Sequence, residues 1–329
     1  MVADMAADCV IGVDLGGTKV LAGAVDSDQQ VHHRAQRTVH GLEQSPLLDT
    51  IVDSVEEVRA AAPNAPEAVG FGIPSLIDQE NGTAVMSVNL PIADMPFRDV
   101  MSERLAMPVF IDNDGNVAAL AEHRYGAARG SRDSLMLTIG TGIGGGLVVD
   151  DELVRGATGS GAELGHMVID EDGPRCQGNC PNHGCLEAVA SGTALVREAK
   201  SLAPERPGSA IEQVIASGRE LTGPLITELA HDGDAAAREV ITLIGTRIGV
   251  GIANYINIFN PEVVVVGGGV IAAGDLLLQP ARDEVAVRAL RPNKDIAKIV
   301  PAHFGNEAGM LGAAALAFDG IARREAAGA

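Results

Sequence analysis

DLGGTK, residues 14–19, follows the apolar run 9–13 and precedes a second one, 20–25, which ends in the acidic turn 26–28. GTGIGGG, residues 140–146, has the same setting: the apolar run 134–139 before it, 147–149 after it, then an acidic turn at 150–152. Each reads as strand, glycine-rich bend, strand, so the same hairpin occurs early in each half of the chain. A third glycine turn, Gly267–Gly269, follows Val263–Val266, whose unbroken valines suit a strand buried on both faces. Although residues 140–145 match GxGxxG, a dinucleotide fingerprint opens a helix, and here a strand follows. No GxxxxGK[ST] occurs, which excludes a P-loop. A bend without Cβ atoms lets consecutive backbone N–H groups approach a phosphate, and Thr18 and Thr141 add hydroxyl donors. Either bend alone is equally a tight hairpin turn. The pair points to a nucleotide phosphate chain gripped between two lobes, with Asp14 placed to orient Mg2+ through water.

Helical patterns over residues 47–62, 116–125, 186–199, 235–259 and 308–318 lie between these strands, so the fold class is α/β. Asp234 can cap the fourth helix and the Asn260–Pro261 step can end it. Residues 201–223 read as a loop carrying a short helix. A chain of 329 residues suggests two domains. Their boundary is expected near residues 111–114, giving a small lobe over 1–113, completed by a C-terminal helix at 306–324, and a large lobe over 114–305.

Forty-four acidic against 24 basic side chains leave a net charge of −20, which repels DNA, RNA and anionic membranes. Six phenylalanines, two tyrosines and no tryptophan supply no stacking platform for nucleic acid. No apolar stretch nears the ~20 residues of a membrane helix. The first residues, MVADMAAD, carry acids where a secretory signal carries lysines, so a cytoplasmic protein is expected. Cys176, Cys180 and Cys185 fall within ten residues, and His166 lies ten before the first. Three thiolates and an imidazole are the donor set of a closed tetrahedral zinc site; three unligated thiols are the alternative.

DLGGTK and GTGIGGG, together with GAELGH at residues 161–166 and GCLE at 184–187, resemble in order and spacing the ROK family of bacterial sugar kinases and regulators. That resemblance implies the actin-like ATPase fold, two ribonuclease H-like lobes around a nucleotide and sugar cleft. It implies that Asp14, Gly16, Gly17, Thr18 and Lys19 in one bend, and Gly140, Thr141 and Gly142 in the other, face the phosphates of ATP. Gly267, Gly268 and Gly269 then belong to the adenosine side.

FIDNDGN, residues 110–116, joins an apolar strand to a helix start. A sugar hydroxyl attacking a γ-phosphate is helped by a carboxylate that takes its proton. The resemblance places the family's catalytic aspartate at Asp114, and Asn113 beside it would read a sugar hydroxyl. Asp114 and Asn116 are also ordinary helix-capping residues. Asn89, Glu163, His166 and Glu187 match sugar-contacting positions, and the loop around Ser75 resembles the sugar-side loop. For the metal, the family pattern CxCGxxGCxE carries over directly to Cys180 and Cys185. The stretch before Cys180 is two residues longer here and Pro181 replaces a glycine, so Cys176 joins only if that stretch bends, with His183 as competitor.

The function implied is ATP-dependent phosphorylation of glucose, with Mg2+ and a structural Zn2+ that organises the sugar site through His166. Another hexose, an N-acetylated amino sugar, or polyphosphate as donor are alternatives within the class. A sugar-binding regulator is the alternative of another class; the family's repressors carry an added DNA-binding domain, for which residues 1–8 offer no room. A homo-oligomer, dimer or tetramer, is implied by the family alone.

Overall fold

The computed structural model describes residues 7–87 and 89–328. The first series of elements is β1 (Cys9–Leu15), β2 (Lys19–Asp26), β3 (Val31–Thr38), α1 (Gln44–Ala61), β4 (Val69–Ile73), β5 (Ser75–Asp78), β6 (Thr83–Ser87), β7 (Ala93–Met95), α2 (Phe97–Leu105), β8 (Val109–Asn113) and α3 (Asp114–Arg124). The second begins with β9 (Ser134–Ile139), β10 (Ile143–Val149) and β11 (Glu152–Leu153), followed by α4 (Leu186–Ala190), α5 (Gly192–Leu202), α6 (Ala210–Ala216), α7 (Gly223–His231) and α8 (Ala235–Phe259). It closes with β12 (Val263–Gly267), α9 (Asp275–Arg288), α10 (Asn293–Ile296), β13 (Lys298–Pro301) and α11 (Ala308–Gly328).

The two five-stranded sheets have one topology, β3-β2-β1-β4-β8 and β11-β10-β9-β12-β13. In each, three strands form an antiparallel meander and two more add in parallel beside the first. This duplicated order is the actin-like ATPase fold, and the hairpin repeated in the sequence is its trace. β12 pairs with β9 on one side and β13 on the other, which explains its run of valines. A separate antiparallel sheet, β5-β6-β7, lies outside both.

The glycine bends are shorter than the glycine runs. β1 continues through Asp14 and Leu15, leaving only Gly16, Gly17 and Thr18 for the first bend, and β10 begins at Ile143. Gly144, Gly145 and Gly146 therefore lie inside a strand, where Gly146 lets α3 rest on backbone. A methyl on Gly146 would lie 2.6 Å from Ala119 Cβ, and one on Gly115 2.5 Å from the Gly145 carbonyl. α11 is seated in the same way. Gly12 on β1 and Gly70 on β4 leave no room for a Cβ beneath the Met310 and Ala313 carbonyls, and Gly312 meets the Val117 carbonyl of α3. Beneath this layer Phe71 and Phe97 meet edge-on, 5.3 Å between ring centres, both fully buried. Each contributes about 2–3 kcal/mol of burial.

The helix expected over 186–199 breaks at Ser191, whose extended backbone ends α4 and whose Oγ accepts the Ala194 N–H at 3.2 Å to cap α5. Serine followed by glycine stabilises a helix start more than a helix interior. α8 starts as expected, Asp234 accepting the Ala237 N–H at 2.8 Å, and ends at Asn260 in the left-handed region, φ 49°. Among the described residues no helix is long and apolar enough to cross a membrane.

Candidate active site

β8 hands over to α3 at Asn113, whose Oδ1 accepts the Gly115 and Asn116 N–H groups at 2.8 and 3.2 Å and whose Nδ2 donates to the Ser75 carbonyl at 3.3 Å. Asn113 is thus the helix cap. Neither Asp114 nor Asn116 takes that role: Asn116 is buried and donates to Asp112 Oδ1 at 2.8 Å. Asp114 is left with its carboxylate open to the cleft, one oxygen accepting the Gly115 N–H at 2.9 Å. The protein walls around that cleft withdraw bulk water and push the Asp114 pKa up; the Gly115 N–H opposes the shift. Asp14, half-buried at the end of β1, is raised to about 6 by burial first and by the Asp114 charge second, with Lys19 opposing.

Asn113, Asp114, Glu163, His166 and Glu187 line one cavity of about 370 Å3. Gly140, Gly142 and Gly268 form its other wall. Glu187 Oε2 accepts the Ile143 N–H at 2.8 Å and presses on Gly142, where no Cβ would fit. Glu163 lies 3.9 Å from His166 Nε2, and its pKa is raised by burial and by the Asp114 and Glu187 charges, with His166 opposing. Five polar side chains converging on a small cavity suit a ligand rich in hydroxyl groups.

A second cavity, about 810 Å3, shares Gly140 with the first and continues past Thr141 to Gly269 and the wall of α5. The bend is tied to the start of α5 by Gly192 N–H to the Gly140 carbonyl (2.8 Å) and Thr193 Oγ1 to the Thr141 carbonyl (2.8 Å). Gly268, φ 86°, lies against the Ile139 backbone. Gly267 is buried against Met136 and Ala302 and lines neither cavity, so the turn on this side begins one residue later than the sequence suggested. Thr193, Lys200 and Thr222, which line the larger cavity, come from segments without any motif.

Asn89 and the first bend lie apart from both cavities but touch each other: a methyl on Gly17 would sit 2.7 Å from Asn89 Cβ. Thr18 is exposed, and Gly16 closes the bend by donating to the Lys19 carbonyl at 2.9 Å.

One donor atom from each of His166, Cys176, Cys180 and Cys185 lies within 4.8 Å of the others. Cys176 Sγ is 3.5 Å from His166 Nδ1, and the Cys180 and Cys185 sulfurs are 3.9 Å apart. Two thiolates on a tetrahedral zinc stand about 3.8 Å apart, so the donor set fits that ion. The longer stretch before Cys180 bends at Gly178, φ 58°, and this brings Cys176 inward, while His183 is exposed and outside the group. Burial and the neighbouring thiols push the Cys176 pKa up, and burial and the Cys180 thiol raise that of Cys185, with Cys176 opposing. A bound cation reverses this by favouring thiolate.

The chain is 36% identical over 309 residues to the glucokinase of Thermotoga maritima, covering 93% of this chain and 96% of that one. It is 31% identical over 292 residues to the xylose repressor of Caldicellulosiruptor bescii, covering 85% of this chain and 70% of that one. Among solved structures, a ROK family glucokinase from Streptomyces griseus in complex with glucose and AMPPNP superposes with a TM-score of 0.81 at 34% identity, covering 94% of this chain and 99% of that one. The ROK family pattern matches residues 10–319, and with the duplicated sheets and the cavity between them it establishes that this chain belongs to the ROK family.

Proposed function

We propose that the protein is an ATP-dependent glucokinase that transfers the γ-phosphoryl group of ATP to the 6-hydroxyl of glucose. One observation carries this: the open Asp114 carboxylate shares a small polar cavity with Glu163, His166 and Glu187, and a larger cavity adjoins it at the glycine bend, with Gly140 in the wall of both. The relatives named glucokinase at 34–36% identity support the same reading.

In this reading Asp114 accepts the proton of the attacking hydroxyl, and its raised pKa makes it a better base than a solvent-exposed aspartate. Asn113, Glu163, His166 and Glu187 orient the sugar hydroxyls; Asn89, which lies outside that cavity against Gly17, would join them on closure of the two lobes. Backbone N–H groups of Gly17 and Gly142, with Thr18, Lys19 and Thr141, hold the phosphates; Gly16 and Gly140 shape the two bends by donating to the Lys19 and Gly142 carbonyls, and Gly268 and Gly269 border the adenosine. Asp14 would hold Mg2+ through its water shell, and the ion, when bound with ATP, would supply neutralisation of the phosphate charge. Cys176, Cys180, Cys185 and His166 Nδ1 would hold Zn2+, and binding there would fix the imidazole and leave Nε2 for the sugar. The nucleoside-sized second cavity favours ATP over polyphosphate as donor, since a phosphate chain alone has no use for it.

The lobes are residues 1–113 with the C-terminal helix, and 114–305. The reading also includes the cytoplasm, where ATP is supplied and thiols stay reduced. It includes a homo-oligomer as well, for which the exposed Ile258, Val287 and Leu290 offer an apolar surface.

The test is Asp114→Asn, with ADP release measured across glucose, mannose, fructose and the N-acetylated hexosamines. Turnover should be strongest on glucose and should fall about 10³-fold in the variant while glucose binding survives. An active variant overturns the assignment of Asp114. Silence of the wild type on every sugar would favour a sugar-binding regulator, as the repressor relative does.

A further inference from the structure

Asp112, fully buried on β8 of the first sheet, is reached by Arg155 from the segment that follows β11 of the second: Arg155 Nε donates to Asp112 Oδ2 at 2.6 Å. The other carboxylate oxygen accepts the Asn113 N–H at 2.8 Å and Asn116 Nδ2 at 2.8 Å. Two of its three donors therefore belong to the turn that presents Asp114. The Asn116 amide is held in one orientation, because flipping it would set oxygen against oxygen; its own Oδ1 is buried without a protein partner.

The segment carrying Arg155 runs on to Glu163 and His166. Its start is closed by the Gly161 N–H donating to the Arg155 carbonyl at 2.8 Å. Midway, Gly159 at φ 98° lies against the Ile77 carbonyl and Gln79, where a side chain would clash, and Gln79 Nε2 donates to the Ile111 carbonyl at 3.2 Å. The loop thus meets the first sheet at Arg155 and the separate β5-β6-β7 sheet at Gly159, just before it delivers the sugar-facing residues.

We propose that Arg155 is a positioning residue for phosphoryl transfer. Through Asp112 it fixes the turn that presents Asp114 and the loop that carries Glu163, and so sets the base against the sugar. This rests on the reading of Asp114 as the base. A lysine keeps the charge but not the Nε–H direction, so it restores the pair only in part. Arg155 and Asp112 line neither cavity, but the turn and the loop they tie carry Asn113, Asp114, Glu163 and His166 of the smaller one, so the effect falls on the sugar side.

The experiment compares R155K and R155M with wild type, titrating glucose and ATP separately and following folding by circular dichroism, with D114N alongside. R155K is expected to fold, to lose kcat about 10-fold and to raise the glucose KM several-fold, with the ATP KM within about twofold of wild type; R155M loses more. Wild-type kcat and glucose KM in R155K overturn the proposal even if R155M fails to fold. A lowered melting temperature with unchanged kinetic constants, or equal changes in both KM values, also overturns it, because a merely structural pair behaves in that way. An active D114N overturns the base reading instead. Inactive D114N beside kinetically normal Arg155 variants overturns the positioning role alone.

Discussion

Gly309, in the first turn of α11, lies directly against the carboxylate of Asp14: a methyl group there would sit 2.5 Å from Asp14 Cγ. The start of this helix therefore abuts the acid at the end of β1, and only glycine permits the approach. Gly12 and Gly70 let the backbone of α11 pack directly on the sheet, so moving the helix away from Asp14 would give up that packing. Gly309→Ala must turn the Asp14 side chain away. Turnover is expected to fall about 10²-fold with the melting temperature almost unchanged, measured by coupled ADP assay and calorimetry. Full activity in this variant would show that Asp14 is dispensable where it stands.

The acid response of Asp14 has a definite sign. Its pKa is about 6 in the folded chain against an ordinary 3.8. Between these values the folded state holds a proton that the unfolded chain has released, so stability from this group is present at low pH and lost as pH rises through 6. Without nucleotide, the melting temperature of wild type relative to Asp14→Asn should rise as pH is lowered from about 7 to about 5, while wild-type turnover falls over the same window. A constant difference would mean that the Asp14 pKa is not raised.

Chelation, or Cys180→Ser, should release one metal ion per chain and raise the glucose dissociation constant about 10- to 100-fold. Metal analysis and isothermal titration with glucose check this together. Metal loss with unaltered glucose affinity would separate the cysteine cluster from the sugar site.

Gly70→Ala tests packing without chemistry. The new methyl would drive into the Ala313 carbonyl, and neither partner is a flexible side-chain end. A loss of about 3 kcal/mol in urea unfolding is expected. A loss under ~1 kcal/mol would show that α11 can lift off the sheet.

The paired sheets were legible because apolar runs and glycine bends recur in one grammar, at residues 9–25 and 134–149. β5-β6-β7 was not, since β7 is three residues long between Pro91 and Pro96. α9 was hidden by Pro280 in its interior, and α7 by a Gly223–Pro224 start that also suits a loop. Asn113, Asp114, Glu163, His166 and Glu187 were all named from sequence and meet in one cavity. Cys176 was left open, because its place depends on a left-handed residue at Gly178 that spacing alone does not reveal. The walls of the larger cavity, such as Thr193 and Lys200, are set by how α5 packs and carry no local signature.

α11 has a bearing on the order in which the molecule can be completed. β1 and β4 are made early in synthesis, but the layer that covers them begins at residue 308. While the chain is still on the ribosome, the sheet formed by its first third keeps one apolar face bare until the closing helix emerges, so that sheet is finished last although it is made first. A chain cut short before Ala308 would carry both glycine hairpins and the cysteine cluster, and still leave that face uncovered.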